Sequence, residues 1–82
     1  MPSYLVERDH ILPTERGDAR VIVARFQTDA GTVSHPERVE FAAAATAADV
    51  AAELARRAAD WQREVARRNP GGEVPLGKWT PA

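Results

Sequence analysis

Two histidines, His10 directly after Asp9 and His35 directly before Pro36, are the side chains best suited to moving a proton near neutral pH. To act as a catalytic pair they would have to meet in space beside a nucleophile, and the only serines are Ser3 and Ser34. Neither histidine belongs to a repeated spacing that would suit zinc, and the chain has no cysteine. No glycine-rich phosphate loop, G-x-S-x-G elbow or metalloprotease helix is present. The expectation is a chain without enzymatic activity, metal or cofactor, with both histidines at the surface.

The arginines are the second group with chemical potential. Arg56, Arg57, Arg63, Arg67 and Arg68 lie within thirteen residues that hold only two acids, Asp60 and Glu64. Arginines arrayed along a helix can grip phosphates or enter a major groove, which makes a small nucleic-acid-binding or regulatory module the alternative reading. Helical spacing weakens it, because Glu53 with Arg57, Arg56 with Asp60, and Glu64 with Arg68 all stand four residues apart and pair with one another. The net charge of −1 adds no global attraction for a polyanion. Ten arginines against the single Lys78, with sixteen alanines, reflect GC-rich coding rather than selection for phosphate.

The element that carries those arginines is the most clearly written part of the chain. Thr46 is a good N-cap, Asp49 and Glu53 sit near the positive helix end, and Arg67 and Arg68 near the negative one. Asn69, Pro70 and Gly71 stop it. The apolar stripe of this helix, about 47–68, runs Ala47, Val50, Leu54, Ala58, Trp61, Val65. Upstream, Ala19 to Thr28 reads as a strand with Ile22, Ala24 and Phe26 on one face and Val21, Val23, Arg25 and Gln27 on the other. Ser3 to Leu12 reads as a strand with imperfect alternation, and Pro13 to Asp18 as a connection. Asp29, Ala30 and Gly31 suit a hairpin turn.

Residues 32–45 support two readings. Ser34 with Glu37 resembles a capping box that would extend the helix to about 34 residues, far above the usual length. Val39 and Phe41 alternating with Arg38 and Glu40 favour a strand to about Ala43. The expected fold is thus α+β: a three-stranded antiparallel meander, one long amphipathic helix and an extended C-terminal tail, with residues 1–70 as the single domain and 71–82 as the tail.

Eighty-two residues bury only roughly 60–65% of their unfolded surface, and without cysteine no disulfide supplements the core. Oligomerisation is the remaining support. Twenty-two helical residues span roughly 33 Å, so Trp61 and Val65 are expected to overhang a three-stranded sheet and to require a partner. The tail GGEVPLGKWTPA carries Val74, Leu76 and Trp79 among three glycines and two prolines. Burying one tryptophan contributes on the order of 5 kcal/mol, whereas ordering twelve residues costs on the order of 12 kcal/mol or more. The three apolar residues must therefore dock together, on this chain or on a neighbour.

These considerations lead to an expected non-enzymatic interaction or structural subunit, associating with itself or with other protein subunits through Leu54, Trp61, Val65, Val74, Leu76 and Trp79. A phage particle is one such assembly. The N-terminus has neither the basic start nor the apolar run of a signal peptide, and no 18-residue apolar run suits a membrane span. The expected address is cytoplasmic, or intracellular assembly into a larger particle. Deleting residues 71–82 should lower the melting temperature or abolish assembly, measured by thermal melts and light scattering; a variant unchanged in both would make the tail an idle extension.

Overall fold

The structure, a computed structural model, describes residues 1–74. Three strands, β1 (Ser3–Thr14), β2 (Gly17–Gln27) and β3 (Glu37–Ala42), precede one helix, α1 (Ala47–Arg68). The strands form an antiparallel sheet in the order β1-β2-β3, so the fold is the expected α+β meander with one helix.

The first connection is tighter than the sequence suggests. Pro13 and Thr14 continue β1, Thr14 pairs with Gly17, and only Glu15 and Arg16 lie between. Glu15 and Arg16 both keep negative φ, so the reversal is completed by the residue after them, Gly17 at φ 109°, a conformation that favours glycine. Proline is admissible at position 13 because β1 is an edge strand.

The second connection is longer than a hairpin turn. Gly31 donates to the Thr28 carbonyl and Thr28 to the Thr32 carbonyl, which closes the expected turn around Asp29. The chain then runs beside β2 without joining it fully: Gln27 bridges Val33, and Ser34 binds Phe26. The Ser34 hydroxyl accepts from the Phe26 amide at 3.0 Å, so it serves the sheet and caps no helix. That contact decides the fate of residues 32–45, which enter β3 rather than an extended helix.

Helix α1 begins where its cap signal lies. Asp49 donates its amide to the Thr46 hydroxyl and Thr46 its amide to the Asp49 carboxylate, each at 3.1 Å, a reciprocal capping box. At the other end Asn69 donates both its amide and its side chain to the Val65 carbonyl.

The helix face of the sheet and the apolar stripe of α1 merge into one core of Ile22, Ala24, Phe26, Val39, Val50, Leu54 and Ala58, with Phe41, Ala45 and Trp61 half-buried around it. Every core-facing residue of β2 is shielded, as its alternation predicts. Val21, on the opposite face, is also buried. It lies in register between His10 and Glu40, with the neighbouring pairs flanked by the long side chains of Arg8 and Arg38.

The overhang of α1 is filled by the chain itself. The Trp61 indole N–H donates to the Thr32 carbonyl at 3.1 Å. Gln62 and Asp29 exchange two hydrogen bonds, the Asp29 amide to Gln62 Oε1 and Gln62 Nε2 to Asp29 Oδ2. The connection between β2 and β3 thus lies against the C-terminal half of α1, and Val65 is buried without a partner chain. Helix length alone does not reveal this return of the chain beneath α1.

Leu54 has no exposed surface. Truncating it to alanine should cost about 2–5 kcal/mol, read as a lower urea midpoint, whereas Arg63→Ala on the solvent face should stay within about 0.5 kcal/mol. Equal effects of the two would place the core elsewhere.

Candidate interaction surface

α1 is a single helix over three strands; it lies closest to β2 and β1, yet the helix-face side chains of β1 stay half-exposed. Tyr4 is 39% exposed, Val6 42% and Ile11 51%, although all three lie on the helix face, in register with Phe26, Ala24 and Arg20. Leu5, on the opposite face, is 62% exposed. A shallow groove runs between this row and the helix, with Tyr4, Val6 and Asp9 on one wall and Ala47 and Ala51 on the other.

Among the described residues no strand pairs with the outer edge of β1. Phe26 directs its amide and its carbonyl towards Ser34, on the β3 side. Its cross-strand partner Tyr4 therefore sits at a site without backbone bonds to β2, and Tyr4 and Val6 turn their N–H and C=O groups outward. The pairing slips between Val6 and Arg8, where Glu7 is an extra residue. At this bulge and just past it β1 carries ion pairs: Glu7 with Arg25 at 2.8 Å, and Asp9 with Arg20.

The Asp9–Arg20 pair fixes the middle of β1. Arg20 donates from Nε to Oδ1 at 3.0 Å and from Nη2 to Oδ2 at 2.6 Å, and from Nη1 to the Ala45 carbonyl at 3.3 Å. One guanidinium thus ties β1 to β2 and to the segment entering α1. Its hydrogen bonds hold the Asp9 carboxyl below the ordinary carboxylate range and raise the guanidinium in return.

The arginines of α1 are each paired. Arg56 reaches Glu53 at 2.5 Å and Asp60 at 2.9 Å, Arg57 reaches Glu53 at 3.0 Å, and Arg63 also binds Asp60. Arg67 and Arg68 share Glu64 at 2.7 and 2.9 Å. The three i,i+4 pairs read from the sequence all form, and Glu53 and Glu64 have lowered pKa values through the hydrogen bonds of Arg56 and Arg67.

The histidines stand apart. His10 faces Val21 on the open side of the sheet, and its buried Nδ1 has no hydrogen-bond partner among the described residues. His35 is exposed and follows Ser34, which is bound at Phe26. The two anchoring positions, Val21 and Phe26, lie five positions apart in β2, about 17 Å along the strand. Among the described residues no cluster of three or more histidine, cysteine or acidic side chains could hold a metal ion.

Of the residues expected at an interface, Leu54 and Val65 are buried within their own chain, and Trp61 is half-buried with its N–H engaged. Val74 is exposed, while Leu76 and Trp79 lie outside the described residues. The surface that is apolar and open, Tyr4, Leu5, Val6 and Ile11, was not among them. Its signal is present in the sequence: three consecutive apolar residues in one strand cannot all face a one-sided core.

Comparison with protein-family models, with curated proteins and with solved structures finds no match for this chain. No helix among the described residues is long and apolar enough to cross a membrane.

Asp9, Glu53 and Glu64 all have carboxyl pKa values lowered by folding. Such groups add stability above their unfolded pKa and lose it as pH falls through the folded one, so the melting temperature should decline from about pH 5 downward. Asp9→Asn should flatten that decline, as followed by thermal melts across the acid range; an identical acid profile would remove Asp9 from the ledger.

Proposed function

We propose that this chain is a non-enzymatic interaction subunit that associates with copies of itself or packs among other protein subunits in a larger assembly. The observation that carries the reading is the first half of β1, where Tyr4, Leu5 and Val6 expose apolar surface beside a strand edge that no other described residue pairs with. A small chain without disulfides has little core to spare, and covering this strip would add to it. A particle such as that of a phage is one setting in which such a subunit would serve.

Phosphate binding by the helix is less well supported. Arg56, Arg57, Arg63, Arg67 and Arg68 all carry carboxylate partners, which a nucleic acid would have to displace. Native mass spectrometry and light scattering test the reading: species at multiples of 8.9 kDa, or co-purifying protein subunits, are expected. Duplex DNA should show no affinity at low salt. A monomer at every concentration that retains no protein partner would overturn the proposal, and a steep salt-dependent affinity for duplex DNA would replace it with the nucleic-acid reading.

A further inference from the structure

We propose that two copies of this chain pair through β1, antiparallel across a two-fold axis at Leu5, to form one six-stranded sheet with both helices on the same face. The inference rests on the interaction reading above and names its surface and its partner.

The register follows from what each alternative would place together. With the axis at Leu5, Tyr4 stands opposite the partner's Val6 and Val6 opposite the partner's Tyr4. Both residues turn their backbone groups to the free edge, so the two pairs can exchange four N–H···O bonds. On the helix face two half-exposed apolar side chains from each copy then become neighbours, and on the other face Leu5 meets the partner's Leu5.

Moving the axis to Tyr4 sets Pro2, which has no N–H, opposite Val6. An axis at Val6 sets Tyr4 against Arg8, beyond the bulge. Axes at Glu7, Arg8 or Asp9 oppose like charges, one at His10 opposes Ile11 to the ion-paired Asp9, and one at Ile11 wastes the position of Pro13. Only the Leu5 register matches apolar with apolar and leaves every edge amide a partner.

The same features limit the contact to two copies. Beyond the bulge, Glu7 and Asp9 are engaged by Arg25 and Arg20 and do not extend a ladder. The opposite sheet edge is the six-residue β3, with Glu37, Arg38 and Glu40 exposed, and is not complementary to β1. An isologous contact of this kind closes on itself. A pairing confined to residues 3–7 lies at the small end of stable interfaces, so dissociation in about the micromolar range is expected.

The chain contains no cysteine, which permits a direct test by site-specific cross-linking. At a site without ladder bonds the two Cα atoms lie about 4.5 Å apart, within the range a disulfide spans. Leu5→Cys should therefore oxidise to a covalent dimer. Ile11→Cys should not, because the two positions would lie about 40 Å apart. Val6→Arg, at a half-exposed site, should raise the dimer dissociation constant at least about tenfold while leaving the circular dichroism spectrum unchanged; Leu5→Arg serves equally if Val6→Arg disturbs the fold. Cross-linking through Ile11→Cys but not Leu5→Cys would overturn the register. An oligomer that survives Val6→Arg and Leu5→Arg and is not trapped by Leu5→Cys would place the interface elsewhere, with the interaction reading intact. A wild-type chain that never self-associates would overturn the dimer, and only the further lack of any protein partner would take the interaction reading with it.

Discussion

Leu54 and Ala24 have no exposed surface at all, and they belong to one cluster in which the stripe of α1 meets the middle strand. The contact is one helix wide. A helix with its side chains is about 10–12 Å across, and three strands spaced about 4.8 Å apart are of similar width between their outer axes before any side chain is counted. The helix lies closest to β2 and β1, but it turns the small side chains of Ala47 and Ala51 towards β1, which stays half-covered. The two edges meet this shortage differently. β3 is short and alternates charged residues with Val39 and Phe41, so little apolar surface is left open. β1 is twelve residues long and places apolar side chains on both faces.

Along α1 the same constraint operates lengthwise. Its stripe continues past Ala58 to Trp61 and Val65, where the connection between β2 and β3 takes over from the sheet. That segment holds its place through hydrogen bonds of the Thr28–Thr32 turn, through Ser34 to Phe26, and through Gln62 to Asp29. It acts as a fourth, irregular element of the layer. A residue can thus sit on an overlong stripe and still be buried in its own chain, provided a loop of the right length returns beneath it.

This division explains which parts were legible in the sequence. The limits of α1 were, because capping and charge placement are local: Thr46, Asp49 and Asn69 act within four residues of their partners. The buried face of β2 was also legible, since period-two alternation is a local property. The path of residues 28–36 was not, because it depends on a hydrogen bond from Trp61 that joins residues 29 positions apart. The exposed half of β1 fell between the two. Tyr4, Leu5 and Val6 announce a strand with two apolar faces, but nothing local says that this strand lies at the edge or that the helix turns small side chains towards it.

Charge completes the asymmetry of the domain. The outer face of α1 bears arginines whose carboxylate partners neutralise them locally, in exposed pairs each contributing a few tenths of a kcal/mol. That face is hydrated and offers neither a strong field nor an apolar patch. The polar half of β1 is defended in another way: the bulge at Glu7 disrupts the ladder, Asp9 is clamped by Arg20, and Pro13 removes an amide near the turn. Edge protection is thus concentrated between residues 7 and 14. The first four residues of the strand carry none of it, and they are also where Tyr4, Leu5 and Val6 are exposed. An edge guarded against pairing along most of its length, and apolar along the rest, presents only a short, defined segment for strand pairing.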